Sequence, residues 1–416
     1  MSANVPTLAG APWLVRPEVQ HLFAVLERDH DEARIVGGAV RNALLGKPVG
    51  DIDFATTALP EVVMRRTRAA GLKAVPTGVD HGTITVVAGN SVFQVTTLRE
   101  DVETDGRHAV VRFGRDWLSD ARRRDFTVNA LSVDRTGVVY DPIGGYPDIL
   151  AGRIRFIGEA EMRIAEDRLR ILRLFRLHAE HGRGGIDGAA LAAAIRAREG
   201  LRDLSAERIG QEMRRLVVAP RAVETLAMMQ DSGILPIVLG GVGYIATLSR
   251  VVAFEAVVGA MPAMALRLTA VGCKVEEDVE RLTTRLRLSK AERDRMLRGL
   301  AAARALIPRP DARGGRGALY RLGGEAFRDG IALALAFTAT SPDDTAWGEL
   351  YRLPDQWHVP AFPLGGRDAV AAGVERGPAL GRLLRAVEAW WIERDFAPDL
   401  AALRARLQQM IAAEQQ

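Results

Sequence analysis

Asp51 and Asp53 are two carboxylates whose spacing in this 416-residue chain suggests chemistry. The sequence predicts a strand here, and residues two apart in a strand point to the same face, so the two side chains converge. Adjacent carboxylates repel each other and favour a bound cation, and Mg²⁺ is the oxygen-binding candidate. Such a pair also occurs at solvated strand ends, so it indicates catalysis only together with its neighbours.

A phosphate-binding turn is predicted just before this pair. A short apolar strand at residues 33–36 leads into Gly37 and Gly38, and a helix is predicted over residues 39–45. Paired glycines let the backbone approach a phosphate at a helix N-terminus, where amide groups favour anions. Arg41 adds a planar set of donors one turn into the helix. Together these features predict a site for a metal ion and a nucleoside triphosphate.

The elements around this site predict a mixed α/β domain over residues 1–150. Helical spacing of apolar residues, β-branched runs and Gly/Asn turns distinguish its elements. The predicted helices cover residues 17–29 and 60–70, and the further strands cover residues 73–76, 83–88 and 92–98, with two short strands within 130–140.

The remainder of the chain predicts only helices. From Glu159 onward apolar residues recur at spacings of three and four, and alternating strand patterns disappear. Breaks between helical units are predicted at residues 307–317 and before Pro360. The fold class is therefore α+β, with an N-terminal mixed sheet followed by an all-α region.

Composition restricts the class of protein more than its partner. One cysteine, Cys273, excludes an internal disulfide framework, and no apolar run is long enough for a membrane span. The N-terminus lacks the pattern of a secretory signal, which predicts a cytoplasmic protein. The net charge is +4 and the basic residues are mostly arginine, which is compatible with RNA but does not identify it.

Two motifs resemble the class II tRNA nucleotidyltransferase and poly(A) polymerase family. GGAVRN followed by DIDF is similar to the family's GGxVRD and DxDF, with Asn42 where the family commonly has Asp. Residues 116–130, DWLSDARRRDFTVNA, resemble its RRDFTxNA motif. The resemblance implies that Arg123 and Arg124 contact the triphosphate or the primer, and that Asp125 orients an arginine.

A third motif lies in a helix predicted over residues 162–180. Its charged residues form a stripe: Glu166, Asp167, Arg170, Arg173 and Arg176. Taken alone, this pattern is typical of a helix with ion pairs on its surface. The segment also resembles the family's EDxxR motif, which implies nucleotide selection: Asp167 accepts from the amino group of C or A, and Arg170 donates to the adjacent ring nitrogen. Arg173 and Arg176 are likewise expected to bind the nucleotide.

Further segments carry the resemblance along the chain. Residues 99–112 occupy the position of the family's flexible loop, which implies roles for Arg99 and Arg107 in the switch from C to A addition. Gln94 stands where the family commonly has a third carboxylate. Residues 141–158 resemble a hinge motif, and residues 205–216 resemble a helix that supports the nucleotide-reading helix.

The resemblance implies a polymerase-β-like catalytic head followed by helical regions. The expected domains are a head at 1–150, a neck at 151–225 that selects the base, a body at 226–340 and an RNA-binding tail at 341–416. The implied activity is Mg²⁺-dependent addition of CCA to tRNA 3′ ends from CTP and ATP. The alternatives are a poly(A) polymerase, or a non-catalytic RNA-binding protein with a relic head.

Overall fold

The computed structural model describes residues 5–78, 82–105 and 108–414 of the chain. These residues form two compact units, Met1–Val238 and Leu239–Gln416. The first unit contains the α/β head and the helices that follow it, and the second unit is helical. The finer division into head, neck, body and tail stays a prediction.

A mixed seven-stranded sheet is the centre of the first unit. Its strands are β1 (Ala33–Val36), β2 (Asp53–Thr56), β3 (Lys73–Gly78), β4 (Thr83–Ala88), β5 (Ser91–Thr97), β8 (Ser132–Val133) and β9 (Val139–Tyr140). The order is β3-β4-β5-β2-β1-β8-β9, in which β2 and β5 are parallel and the other neighbours are antiparallel. β6 (Arg99–Asp105) and β7 (His108–Phe113) form a separate two-stranded antiparallel sheet.

Helices cover the sheet and continue beyond it in the first unit. They are α1 (Pro17–Leu26), α2 (Gly38–Leu44), α3 (Pro60–Ala69), α4 (Trp117–Arg122), α5 (Tyr146–Ala151), α6 (Ala160–Glu166), α7 (Leu169–His181), α8 (Gly188–Arg196), α9 (Ala206–Val217), α10 (Ala222–Asp231) and α11 (Ile234–Leu239). The mixed head and helical remainder agree with the predicted α+β class.

The second unit has helices only within its described residues. They are α12 (Ile245–Val258), α13 (Met264–Gly272), α14 (Glu276–Leu286), α15 (Lys290–Ala305), α16 (Ala312–Leu322), α17 (Gly324–Phe337), α18 (Thr345–Gln356), α19 (Gly366–Ala371), α20 (Pro378–Glu393) and α21 (Leu400–Glu414). Over the described ranges, no helix has both the length and the apolar content needed to cross a membrane.

An aromatic cluster under the sheet places the predicted carboxylates at its surface. Phe54 is fully buried and packs edge-on against Phe23 and Phe93 at 4.9 and 5.7 Å between ring centroids. Because side chains alternate across a strand, burial of Phe54 turns the preceding Asp53 to the opposite face. The strand predicted to hold both carboxylates is shorter than expected, since it begins at Asp53 and Asp51 precedes it.

The prediction of one continuous helix over residues 162–180 is wrong. α6 ends at Glu166, Asp167 has extended backbone angles of −154° and 110°, and α7 begins at Leu169. The Asp167 side chain accepts a hydrogen bond from the backbone N–H of Leu169 at 3.0 Å. A carboxylate that bonds nearby backbone in this way favours a helix end over a helix interior, which explains the break.

The segment expected to match the family's flexible loop contains two paired strands, β6 and β7, within its described residues. Arg99 pairs with Phe113 and Asp105 with His108 across β6 and β7. The return strand contains Val110 and Val111, and β-branched residues favour strands. Arg107 lies outside the described residues.

The break predicted at residues 307–317 is also shorter than expected. α16 begins at Ala312, so its glycines are helical. A Cβ on Gly315 would lie 2.6 Å from Leu350, and one on Gly317 would lie 3.0 Å from Ile392. These glycines therefore allow close packing of helices rather than a turn.

The proposed hinge contains a glycine that close packing requires. A Cβ on Gly145 would lie 2.2 Å from the carbonyl oxygen of Thr127, which is backbone and cannot turn away. Gly144 and Gly152 have φ angles of 74° and 62°, in the region that glycine tolerates best. Head movement at this segment stays a prediction.

Replacement of this glycine provides a test of the packing. Gly145→Ala should lower the free energy of unfolding by about 1–3 kcal/mol, because the added methyl group overpacks the Thr127 carbonyl. Urea unfolding of the full chain measures the change. Gly188→Ala is the control, since no atom lies within 4 Å of its Cβ position at the start of α8. Equal stability of both variants would contradict the packing argument.

Candidate active site

One open cavity of about 740 Å³ in the first unit collects most of the residues that the sequence marked for chemistry. The predicted residues that line it are Gly37, Gly38, Arg41, Asp51, Asp53, Arg124, Asp167, Arg170, Arg173 and Arg176. Other lining residues include Asn42, Asp125, Asn129, Leu169, Leu177, Arg208 and Arg215. The walls are α2, the start of β2, the segment after α4, α7 and α9.

Asp51 and Asp53 both reach this cavity and interact electrostatically. Enclosure by the protein raises the pKa of Asp53, the negative charge of Asp51 raises it further, and the Arg124 guanidinium opposes both effects. Both residues remain accessible to solvent. Two carboxylates that repel each other at an open site match the oxygen donors that a hard divalent cation prefers.

Gln94 lies directly beside this pair in the sheet. It is opposite Asp53 in the parallel β2–β5 register, which is the neighbouring-strand position predicted from the resemblance. Its side-chain oxygen accepts a hydrogen bond from Thr85 at 3.2 Å. Within the described ranges, no cluster of three or more His, Cys, Asp or Glu side chains could hold a metal ion, so the candidate site has two carboxylates.

The turn at Gly37 and Gly38 brings the backbone close to neighbouring arginine side chains. Gly37 has φ 74° and ψ −129° and caps α2, and a Cβ there would lie 3.8 Å from Nη1 of Arg124. A Cβ on Gly38 would lie 3.5 Å from Nη2 of Arg41. The turn therefore lies against two guanidinium groups that border the cavity.

Arg41 is almost completely buried, with 5% of its surface exposed. Its Nε and Nη2 donate to the Asn42 side-chain oxygen at 3.2 and 3.0 Å, and its Nη1 donates to the Asn129 side-chain oxygen. Burial lowers the pKa of Arg41 to about 10, against the attraction of Glu180. The group therefore remains protonated at neutral pH.

Arg123 and Arg124 share one buried carboxylate but differ in position. Nε of Arg123 donates to Oδ1 of Asp120 at 2.9 Å, and Nη2 of Arg124 donates to its Oδ2 at 2.9 Å. Burial opposes ionisation of Asp120, yet the two arginines hold its pKa below the usual value. Arg124 lines the cavity, whereas Arg123 is not among the described lining residues. A nucleotide contact by Arg123 stays a prediction.

Asp125 connects the sheet domain to α7. Its Oδ2 accepts from Nε of Arg173 at 2.6 Å and also from Nη2, while Oδ1 accepts from the Phe126 N–H at 2.9 Å and from Asn129 at 3.4 Å. Burial disfavours the charge, but Arg173 holds the pKa of Asp125 below its ordinary value. The predicted orientation of an arginine by Asp125 is thus present as an ion pair.

Arg176 continues this row of ion pairs along α7. It is buried and donates to Glu212 through Nε and to Glu180 through Nη1, the latter at 2.8 Å. Burial opposes the charge of Glu180, but His181, Arg176 and Arg215 lower its pKa to about 2. Arg173 and Arg176 line the cavity with their guanidinium groups already bound to carboxylates.

Asp167 and Arg170 are held separately rather than as an ion pair. Oδ2 of Asp167 accepts from Nη2 of Arg208 at 2.7 Å. Nη1 of Arg170 donates to Glu166 and to the Arg163 carbonyl oxygen, the latter at 2.7 Å. Both side chains line the cavity, and contact of either one with a nucleotide stays a prediction.

Sequence reasoning missed the part that α9 plays in this site. The sequence indicates only that this helix supports the nucleotide-reading helix. Ser205 is the N-cap residue of α9 and makes no capping hydrogen bond through its side chain. Arg208, Glu212 and Arg215 are spaced by four and three residues, which places them on one helix face. That spacing was the available indication that α9 borders the site.

The chain is similar to known nucleotidyltransferases over most of its length. The family model described as the poly A polymerase head domain matches residues 33–155, and the model described as a probable RNA and SrmB-binding site of polymerase A matches residues 186–242. CCA tRNA nucleotidyltransferase 1, mitochondrial, from Mus musculus is 33% identical over 399 residues, covering 91% of this chain and 88% of that relative. The chain belongs to the tRNA nucleotidyltransferase and poly(A) polymerase family.

Solved structures of this nucleotidyltransferase family share the fold. The Bacillus stearothermophilus CCA-adding enzyme in complex with CTP has a TM-score of 0.75 and 28% identity, with 96% of this chain and 99% of that chain covered. The Thermotoga maritima CCA-adding enzyme complexed with tRNA has a TM-score of 0.70 at 19% identity, covering 95% and 96%. The second likeness shows the fold alone.

The Asp125–Arg173 ion pair predicts a pH-dependent contribution to the stability of this nucleotidyltransferase. A carboxyl whose pKa is lower in the folded state than in the unfolded state stabilises the fold at a pH above the unfolded-state pKa. That contribution is lost as the pH falls through the folded-state pKa. Asp125→Asn should therefore lower the free energy of unfolding by about 2 kcal/mol at pH 7. The difference from wild type should shrink below about pH 4.

Urea unfolding at a series of pH values measures this difference. Asp203→Asn is the control, because this exposed carboxyl lies outside the cavity and should show little change. A wild-type advantage over Asp125→Asn that grows on acidification would refute the assignment.

Proposed function

We propose that this protein adds CCA to the 3′ ends of tRNA, using CTP and ATP and releasing pyrophosphate. The supporting observation is the shared cavity, in which Asp51 and Asp53 lie together with Asp167 and Arg170. The pair Asp51 and Asp53 fits the chemistry of phosphoryl transfer. Asp167 and Arg170 fit the Watson–Crick edge of a base. The names of the relatives from mouse and Bacillus support the same activity.

The reaction is attack of the RNA 3′-hydroxyl on the α-phosphate of the bound nucleotide. Asp51 and Asp53 would hold Mg²⁺, which when bound lowers the pKa of the attacking hydroxyl and neutralises charge on the phosphates. Phosphoryl transfer depends mainly on such positioning and charge stabilisation, so the protein needs no covalent intermediate. Gly38 and Arg41 would orient the triphosphate.

Base selection is assigned to Asp167 and Arg170. C and A each present an amino donor beside a ring-nitrogen acceptor, which matches a carboxylate next to a guanidinium. G and U present the reverse pattern, so neither protein group finds a matching hydrogen-bond partner on the base, a penalty of about 1–3 kcal/mol per group. Asp167 accepts from Arg208 and Arg170 donates to Glu166, so each side chain has its own protein partner where it lines the cavity, which supports this assignment.

Poly(A) synthesis is the second candidate, because the family model over residues 33–155 carries that description. The chemistry would be the same, and the product would be a run of A. The cytoplasmic location expected from the sequence is likewise a proposal, and the mouse relative is named as a mitochondrial protein.

An incorporation assay with an Asp51 variant tests the activity. Purified protein is incubated with tRNA lacking its 3′ CCA, Mg²⁺ and labelled CTP or ATP, and we expect two C and one A to be added. Asp51→Asn should reduce the rate at least about 100-fold, because the metal site loses a negative ligand.

The controls separate the possible products. Asp203→Asn should retain full activity. Long A tails would favour poly(A) synthesis, whereas absence of incorporation by wild type, with Asp51→Asn no different, would refute the enzyme assignment.

A second substitution tests base selection. Asp167→Ala removes the acceptor for the amino group, so discrimination against GTP and UTP should fall by about 5- to 150-fold. The ratio of kcat/KM values for CTP and UTP measures this change, and a Mg²⁺ titration should be little affected. Unchanged exclusion of GTP and UTP in a folded variant would remove Asp167 from the template.

A further inference from the structure

Gln94 is an exposed carboxamide beside the carboxylate pair of the site. It is opposite Asp53 in the parallel β2–β5 register and opposite Thr85 in the antiparallel β4–β5 register. Neighbours in register point to the same face of a sheet, so the three side chains form one row across it. Asp53 lines the cavity, whereas Gln94 is not among the described lining residues. Gln94 therefore flanks the carboxylate pair outside the cavity that is assigned to the nucleotide.

Hydrogen bonds in this row set the orientation of the carboxamide. The Thr85 hydroxyl donates to Oε1 of Gln94 at 3.2 Å, and its Oγ1 lies 2.7 Å from Oγ1 of Thr77. A hydroxyl has one proton, so Thr77 is the donor to Thr85 and the row has a single direction.

The amide nitrogen of Gln94 is left with two N–H donors. Among the described residues, these donors bond to no protein group. The reverse orientation of the carboxamide would present an acceptor oxygen beside the negative charge of Asp53, so electrostatics favour the orientation in which Oε1 binds Thr85. Gln94 thus offers hydrogen-bond donors next to two carboxylates that can only accept.

The order of the strands places Gln94 on the side of Asp53 away from the glycine turn. β2 lies between β1, which leads into Gly37 and α2, and β5, which carries Gln94. In nucleotidyl transfer the attacking hydroxyl and the leaving pyrophosphate are roughly in line, on opposite sides of the α-phosphate. With the triphosphate assigned to the glycine turn, the RNA 3′ end approaches from the β5 side, where Gln94 is exposed.

We propose that Gln94 donates to the 3′-terminal nucleotide of the RNA substrate, and that Thr85 is the positioning residue that orients its carboxamide. The acceptors are ribose and phosphate oxygens, which every RNA 3′ end presents. Gln94 holds no metal ion in this assignment, because its oxygen is bound to Thr85 and its nitrogen is a donor. The inference rests on the proposed function insofar as an RNA 3′ end is the substrate.

Gln94→Met tests the contact, because methionine keeps the unbranched shape and removes both donors. The dissociation constant of tRNA lacking its 3′ CCA is measured by fluorescence anisotropy in EDTA, so that no metal ion takes part. The variant should bind this tRNA about 2- to 12-fold more weakly, as expected for one lost hydrogen bond. Calorimetry should give the wild-type dissociation constant for CTP and the wild-type dependence of that constant on Mg²⁺.

Thr85→Val tests the positioning role, since valine keeps the shape of threonine and cannot donate to Oε1. This variant should bind the tRNA more weakly than wild type does but more tightly than Gln94→Met, because the amide donors remain but are no longer held. Thr85→Ser keeps the hydroxyl and should restore wild-type binding. Equal binding by Thr85→Val and wild type would remove Thr85 from this role.

Asn90→Leu is the matched control. It also removes a carboxamide from an exposed position, in the turn between β4 and β5, and should leave tRNA binding unchanged. Equal binding of the tRNA by wild type and a folded Gln94→Met would overturn the proposal. A Gln94→Met variant that loses Mg²⁺ affinity but keeps its tRNA affinity would also overturn it, since Gln94 would then be a metal ligand.

Binding in EDTA separates this inference from the proposed function. If Gln94→Met binds the tRNA more weakly than wild type does, while the incorporation assay shows no CCA addition, the RNA contact stands and the assigned reaction fails. If the two proteins bind the tRNA equally and wild type adds CCA, the reaction stands and the contact is refuted.

Discussion

The ion pair between Asp125 and Arg173 holds the two walls of the cavity in register. Asp125 follows the sheet domain's α4, and Arg173 lies in the middle of α7, so the pair spans the two sides of the site. Arg163 adds a second connection by donating to the carbonyl oxygens of Arg123 and Arg124. These charge-assisted bonds are directional, so they fix positions more narrowly than apolar packing does.

The charged groups of the site differ in the partners that this network gives them. Arg173 and Arg176 bind carboxylates, whereas the hydrogen-bond partners of Arg41 among the described residues are the carboxamides of Asn42 and Asn129. Asp51 and Asp53 form the opposite case. Burial raises the pKa of Asp53, and the negative charge of Asp51 raises it further. A buried cation bound to carboxamides and a pair of carboxylates thus border one cavity, a distribution that supports the proposed binding of a metal-bound polyphosphate.

Local sequence rules predicted the helices and strands well where the spacing of apolar residues in the sequence matches the residues that are buried in the structure. The strand at residues 33–36 has the expected place because it is short, apolar and mostly buried. The hairpin of β4 and β5 has the expected place because buried residues alternate along β4, which pairs with β5. The same rules failed at Asp167, where a single side chain bonds the backbone and ends α6. They failed again at Gly315, which lies inside α16 at a position where a Cβ would lie 2.6 Å from Leu350.

The sequence by itself determined the chemical groups of this protein: the glycine turn, the two aspartates and the EDxxR residues are recognisable because each set is short and contiguous. Only the tertiary structure decided which groups meet. Arg208 contacts Asp167, and Asn129 contacts Arg41, across separations of 41 and 88 residues. Such contacts depend on how helices and strands pack, and local spacing carries no information about packing between distant segments.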